Sequence, residues 1–266
     1  MILAGASALT ITLTLVVAAG YLVPAVALGR SDKAVRQVVL VAWLLHAVLL
    51  ASSLIGDTPR FGFAPALSVT VWLVAAVYGV ESKFYPQLRI RWVMCVLAAA
   101  VVGLAQIFPG APLHPSASMW LPLHWALGIA SYGLFGAAVA HAWLLGRTED
   151  RIRMAADANS GMPLLTIERL TFRLVGAGFV LLTATLIVAF LFTESLYGKG
   201  IAWRWDHKTV FSLLSWLTFA VLLLGRTRFG WRGRRAARML YVGSGLLFLA
   251  YVGSRFVLEV ILGRAP

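Results

Sequence analysis

The residues best suited to chemistry in this chain lie in one fourteen-residue stretch, WRWDHKTVFSLLSW, which spans positions 203–216. It places Asp206, His207 and Lys208 among three tryptophans in an otherwise apolar chain. Imidazole ligates haem iron, flat apolar rings suit a porphyrin face, and cations pair with carboxylates such as porphyrin propionates. The alternative is a charged loop without a ligand, because aromatic belts place tryptophan at every membrane interface.

Further histidines lie in apolar segments. His124 lies near the start of the predicted fifth span, in WLPLHWALGIASYGLF, whose small residues let neighbouring helices approach closely. His46 lies in the middle of AWLLHAVLL, where an ionisable group is costly and function is a fair default, although a neutral histidine bonded to a neighbouring helix is equally compatible. His141 is predicted to be interfacial, and His114 lies in a connection. The small residues after His124 are Gly128, Ala130, Ser131, Gly133, Gly136, Ala137 and Ala138.

The elements that must position these side chains are membrane helices. The chain has 266 residues, of which 61% are hydrophobic and 12% charged, whereas a soluble domain carries about twice that charge. A span needs roughly 20 apolar residues, and such runs fill the chain. We predict an all-α polytopic membrane helix bundle, as a single transmembrane domain over 1–266. Its eight spans lie at about 3–28, 37–56, 62–80, 92–108, 118–146, 174–193, 208–225 and 239–262.

The basic residues predict the orientation of these spans. Of 23 Lys and Arg, 17 fall in the first, third, fifth and seventh connections, which are therefore predicted to be cytoplasmic, with both termini outside. His124 and His207 then lie at outer ends of their spans. The net charge of +13 is read as this topology signal plus attraction to anionic lipid, without a nucleic-acid partner. The single cysteine, Cys95, excludes a disulfide framework and a cysteine-based metal site.

The tryptophan-rich stretch resembles a motif of the cytochrome c assembly family, the CcsA/CcmC-type haem-handling membrane proteins. The residues in register are Gly200, Trp203, Trp205, Asp206, Lys208, Leu213 and Trp216. LHWALGIASYGLF, PLLTIERLTFR and GWRGRRAARMLYVGS are similar to the family's neighbouring segments, so the resemblance extends from about Leu113 to the end. The chain is most similar to the family's smaller, YpjD-like inner-membrane branch in PLLTIERLTFR, HKTVFSLLSW, GWRGRRAARMLYVGS and the eight-span size taken together.

The resemblance implies a multi-pass protein of the bacterial inner (plasma) membrane that binds haem b non-covalently at its outer face. His124 is carried over as an axial ligand, and His207, which this chain adds, is the candidate for the second. His46 would belong to a transit site or to packing. The other residues implied at the site are Trp203, Trp205, Asp206, Lys208 and Trp216, with Lys199, Arg204 or Lys208 pairing with propionates.

Departures from the family pattern favour haem binding, export or delivery over a complete haem lyase, and no catalytic residue is predicted. Lys199, His207 and Thr209 replace a Trp, a Pro and a Glu of the motif. The segment Gly253-Ser254-Arg255 stands where the family's final span carries a second outer histidine. Arg255 and Glu259, four residues apart, are expected to pair on one helix face. Haem, the lipid bilayer and other cytochrome c maturation or membrane proteins are the expected partners. The alternatives are a transporter that uses His46 and a haem-free regulatory or scaffold protein.

Overall fold

The computed structural model describes residues 8–26, 32–55, 59–84, 91–112, 120–153, 164–193 and 205–263. These residues form helices connected by short segments, with one two-stranded sheet in which Arg60 pairs with Pro112 and Phe61 with Ala111. In chain order the elements are α1 (Ala8–Val26), α2 (Asp32–Ile55), β1 (Arg60–Phe61), α3 (Phe63–Phe84), α4 (Arg91–Ile107), β2 (Ala111–Pro112), α5 (Trp120–Arg153), α6 (Leu164–Leu191), α7 (His207–Phe229) and α8 (Gly233–Phe248). The helix α8 continues through a π-helical segment, Leu249–Gly253, a short α-helical segment, Ser254–Phe256, and a second π-helical segment, Val257–Ile261.

The helices correspond one to one with the predicted spans. Within the described residues, seven helices are long and apolar enough to cross a membrane. The remaining helix, α4, contains a shorter apolar stretch, Val93–Ile107. Apolar helices of this length are stable in lipid because each satisfies its own backbone hydrogen bonds. The prediction of an all-α polytopic membrane bundle is confirmed.

Several helices extend beyond the predicted spans, which corrects the assignment of basic residues to loops. Arg169 and Arg173 lie on α6, which begins at Leu164, and Arg226 and Arg228 lie on α7. Three further arginines of the predicted seventh connection lie on α8: Arg234, Arg235 and Arg238. The reason is that charge marks the edge of the hydrocarbon, whereas the backbone of a helix stays hydrogen-bonded in the headgroup region and in water.

Internal contacts divide the chain into two compact units, and the single-domain prediction stays a prediction. The first unit comprises Met1–Gly79, Leu88–His114 and Arg255–Pro266. Trp43 on α2 and Trp72 on α3 stack at 4.7 Å, and each indole N–H donates to the other's backbone carbonyl, at 3.1 Å and 3.0 Å. The core against α1 is small-residue rich and contains Cys95 as a packing residue: Val17, Tyr21, Ala42, Cys95, Ala98, Ala99 and Val102.

The second unit comprises Val80–Gln87 and Pro115–Ser254. At its centre Phe135 of α5 and Phe219 of α7 stack at 3.8 Å, both fully buried. A Cβ on Gly178 of α6 would lie 3.1 Å from the Phe135 ring, and one on Gly243 of α8 would lie 2.8 Å from the Phe219 ring. Glycine at these two positions therefore lets four helices close on one aromatic stack.

Tyr132 of α5 is inserted into the hydrogen-bond ladder of α8. Its hydroxyl donates to the Leu247 carbonyl and accepts the Tyr251 backbone N–H. In an uninterrupted α-helix that N–H would itself bond to the Leu247 carbonyl, four residues earlier. The insertion coincides with the π-helical segment Leu249–Gly253, and a side chain within the ladder is a recognised cause of such an irregularity.

Candidate functional site

The candidate site includes the part of the tryptophan-rich stretch that the structure describes, residues 205–216, in which Asp206 caps the start of α7. Asp206 is the N-cap residue, in extended conformation, and its carboxylate accepts the Thr209 N–H at 2.9 Å. Burial raises the pKa of this carboxyl, but the hydrogen bonds from Thr209 and the charges of Lys208 and His207 outweigh burial and hold the pKa below its usual value. The aspartate therefore serves as an ionised cap that fixes where His207 and Lys208 begin the helix.

Trp216, two and a half turns into α7, attaches this helix to α6. Its indole N–H donates to the Thr183 hydroxyl at 2.9 Å, and its ring stacks on Phe179 at 5.5 Å. The Thr183 hydroxyl donates in turn to the Phe179 carbonyl at 2.8 Å. Trp216 is thus a positioning residue for α7.

His124, one turn into α5, is half-buried and faces the same part of α6. Its Nδ1 lies 3.3 Å from the Thr185 carbonyl oxygen. Gly128, one turn further along α5, faces the Thr185 side chain, from which an added Cβ would be 3.6 Å away. The absence of a side chain at Gly128 lets the two helices approach closely enough for the histidine to reach a backbone carbonyl.

The structure brings some predicted site residues together and leaves others apart. His124 and Trp216 bond to α6 at residues 185 and 183, so they converge on one short segment of that helix. His207 is exposed at the start of α7, and Trp205 just before it is 73% exposed. His207 precedes Trp216 by nine residues, which is about 14 Å along a helix axis. The other predicted residues, Lys199, Trp203 and Arg204, lie outside the described residues, as does His114.

His46 lies in the first unit and is engaged through both ring nitrogens. Nδ1 is 3.2 Å from the Tyr21 hydroxyl on α1, and Nε2 is 2.8 Å from the Ser68 hydroxyl on α3. The residue is 1% exposed. A neutral imidazole offers one donor and one acceptor, and two hydroxyls satisfy both. As a haem ligand His46 would have to give up one of these bonds.

Two ionic contacts involve other residues for which predictions follow from the sequence. His141 is buried within the protein, and its Nε2 lies 2.7 Å from the Glu81 carboxylate. Its position at the membrane interface stays a prediction. Glu81 is distant in sequence, so no local pattern could have indicated this partner. The expected pairing of Arg255 with Glu259 is confirmed, at 4.0 Å, and the Glu259 carboxylate also accepts the Phe63 N–H at the start of α3.

Sequence reasoning missed a third ionic contact, at the opposite end of α6. Glu168 is buried, and its carboxylate accepts a hydrogen bond from Arg226 of α7 at 2.6 Å, with Arg232 at 3.8 Å. Arg226 also donates to the Trp231 carbonyl and covers the Phe172 ring. The signal available in the sequence was an acid near the start of an apolar helix, together with a run of arginines later in the chain.

The described side chains do not form a metal centre of their own. Among them, no three His, Cys, Asp or Glu residues come close enough to hold a metal ion.

Comparison with known proteins covers most of the chain. Residues 60–262 match the profile of a family described as "Cytochrome C assembly protein". The chain is 28% identical over 230 residues to "Inner membrane protein YpjD" of Escherichia coli (strain K12), which is 83% of this chain and 85% of that protein. It is 26% identical over 247 residues to "Cytochrome c biogenesis protein CcsA" of Gloeobacter violaceus, covering 71% and 72% of the two chains. No solved structure matches the chain.

Proposed function

The chain belongs to the cytochrome c assembly protein family, in its YpjD-like branch of multi-pass inner-membrane proteins, and from this premise we propose that it carries haem for cytochrome c assembly. A role in cytochrome c biogenesis follows from membership and from similarity to proteins named for that process. The proposed activity is non-covalent binding of haem at the predicted outer face, for export or delivery. Haem is then cargo.

The observation that carries this proposal is the contact between His124 and Thr185. A carbonyl oxygen only accepts hydrogen bonds, so Nδ1 of His124 must carry the proton and Nε2 keeps its lone pair. A histidine whose other nitrogen donates to a backbone carbonyl is the usual arrangement of a metal ligand, because the bond fixes the tautomer and the ring orientation. His124 therefore fits the role of an axial ligand to haem iron.

His207 is the proposed second ligand, and ligation of one iron by both histidines would require the start of α7 to move toward His124. The segment Gly253-Ser254-Arg255, which stands where the family's final span carries a histidine, contains no imidazole, and its Arg255 forms an ion pair with Glu259. His207 offers an imidazole at a defined position, because the Asp206 cap fixes the first turn of α7. Its exposure leaves the ring accessible to a ligand that approaches from the predicted outer face.

Aromatic and basic residues would complete the site. Trp205 presents a largely exposed indole next to His207, and we assign it, with Trp203, to the faces of the porphyrin. Lys208, with Lys199 or Arg204, would pair with the propionates, since charge-assisted bonds to carboxylates are stronger than neutral ones. Asp206 and Trp216 act differently: they hold α7 in place through Thr209 and Thr183.

The transporter alternative receives no support from the described geometry around His46. Its two hydrogen bonds join α1, α2 and α3, as a buried structural network would. We therefore assign His46 to packing of the first unit. This assignment predicts that haem binding survives loss of His46.

The test is the absorption spectrum of the detergent-purified protein, oxidised and dithionite-reduced, after haem is added and the excess removed. We expect a Soret band with sharp reduced α and β bands in the wild type, weakened in His124→Ala and in His207→Ala. His46→Ala is the matched control and should keep the bands. A wild type that takes up no haem would overturn the proposed cargo. If the bands weaken in His124→Ala but not in His207→Ala, the haem proposal stands and His207 is eliminated as the second ligand.

A further inference from the structure

The connection between α7 and α8 carries a dense group of basic and aromatic side chains. We call it the basic turn surface and define it by Arg228, Phe229, Trp231, Arg234, Arg235 and Arg238. All four of these arginines are exposed, and Phe229 is 76% exposed. Among the described side chains, the carboxylates at this turn are Glu168, which pairs with Arg226, and Glu149, placed 3.7 Å from where a Gly233 Cβ would lie. The surface is therefore strongly positive.

The conformation of this turn is fixed by several contacts. Gly230 closes α7 with a left-handed conformation (φ +62°) and donates to the Gly225 carbonyl. The Trp231 ring lies flat against Gly225, where an added Cβ would be 2.3 Å away. The Arg235 guanidinium also lies over this ring, 4.0 Å from its centroid, an arrangement that cation–π attraction favours.

The exposed arginines continue the apolar faces of both helices. On α7, Leu224 is 58% exposed, and Arg228 follows it by four residues on the same face. On α8, Arg238 precedes Val242, which is 53% exposed, by four residues. Four residues correspond to about 6 Å of helix. A face that changes from apolar to basic within one turn crosses from hydrocarbon to headgroups.

We propose that the basic turn surface binds the headgroups of anionic phospholipids in the predicted cytoplasmic leaflet. The arginines would contact the phosphates, while Phe229 and Trp231 lie at the boundary with the acyl chains, where aromatic rings are favoured. Arginines near an anionic leaflet each strengthen attachment substantially, by charge attraction over a short range. The membrane accounts for the continuous apolar faces, which an acidic cytosolic protein would leave uncovered. This inference is independent of the haem proposal.

The experiment titrates the purified protein in neutral detergent with phosphatidylglycerol, phosphatidylcholine or free glycerol phosphate, and follows the shift in Tm. We expect phosphatidylglycerol alone to raise Tm. Arg234→Gln/Arg238→Gln should weaken its apparent affinity about 25-fold, at roughly fivefold per arginine. The matched control, Lys33→Gln/Arg36→Gln, removes the same charge from exposed positions of α2 and should change far less.

Three results would overturn the proposal. Equal stabilisation by phosphatidylcholine would remove the headgroup charge from the explanation. Equal stabilisation by glycerol phosphate would indicate a site for a free anion. An equal loss in the control variant would mean that general net charge, and not this surface, sets the affinity. Arg234→Lys/Arg238→Lys keeps the charge and should retain binding, which separates lost attraction from lost folding.

Discussion

The backbone carbonyl of Thr185 decides which nitrogen of His124 carries the proton. The two atoms lie 3.3 Å apart, and because the carbonyl can only accept, Nε2 is left with its lone pair. The contact depends on the close approach of α5 and α6 at Gly128, one turn after the histidine. The spacing of α5 and α6 and the tautomer of His124 are therefore linked at this point.

This link predicts opposite results for two substitutions at Gly128. Gly128→Ala should leave the proposed haem binding intact, because its Cβ would make an ordinary contact with Thr185 at 3.6 Å. Gly128→Leu should separate α5 from α6 and weaken haem retention about tenfold or more, as loss of an outer-shell partner of a metal ligand does. The measurement is Soret absorbance per protein, with Tm as the check on folding. A folded Gly128→Leu variant that retains haem fully would contradict the link.

The network around His46 predicts a loss of stability without a loss of haem. Ser68→Ala should lower the free energy of unfolding by about 1–3 kcal/mol, because one imidazole nitrogen is left buried and unsatisfied. Tyr21→Phe should have an effect of the same size. Thermal unfolding in detergent measures both, and the double variant should show non-additivity through the shared histidine. Single variants with unchanged Tm would mean that these bonds contribute nothing measurable.

The Tyr132 insertion predicts a local effect on α8. Tyr132→Phe removes the hydroxyl that joins the Leu247 carbonyl to the Tyr251 N–H, and we expect about 1–3 kcal/mol of destabilisation. Hydrogen exchange at Tyr251 should become faster. Tyr241→Phe, on the exposed side of the same helix, is the matched control. If Tyr132→Phe exchanges as slowly as wild type, the π-helical segment does not depend on the hydroxyl.

The Asp206 cap predicts a dependence on both substitution and pH. Asp206→Ala should destabilise the start of α7 by about 1 kcal/mol, whereas Asp206→Asn should keep most of the cap. Because the folded pKa of Asp206 is depressed, the stabilisation by its charge is present above the unfolded pKa and lost as pH falls through the folded pKa. The difference in hydrogen-exchange protection at Val210 between wild type and Asp206→Asn should therefore shrink in acid. A pH-independent difference would argue against a role for the charge.

The Glu168–Arg226 pair predicts a coupling that a double-mutant cycle can measure. Glu168→Gln alone leaves Arg226 facing a neutral partner at a part-buried site, with an expected cost of about 1–3 kcal/mol. The double variant Glu168→Gln/Arg226→Gln should cost less than the sum of the single variants, because no unpaired charge remains. Additive costs in Tm would show that the two residues act independently.

The sequence by itself determined the membrane helices and the family. Apolar runs of this length form helices in lipid, because each helix satisfies its backbone hydrogen bonds internally. Eight such runs can be identified in the sequence without knowledge of which helices pack together. The small residues after His124 likewise indicated a close helix contact, which the structure places at Gly128 and Thr185. The motif around Trp203–Trp216 identified the family that the profile match supports.

Only the tertiary structure decided what the individual polar groups do. Helical periodicity specifies which face a residue occupies but not which helix lies against that face. The partner of His124 is 61 positions away, and that of Tyr132 is 115 positions away. His46 and His141 look alike in sequence as lone histidines in apolar runs, yet one bonds to two hydroxyls and the other to a carboxylate. Such pairings depend on how helices pack, because a hydrogen bond forms only between atoms that packing brings within about 3 Å.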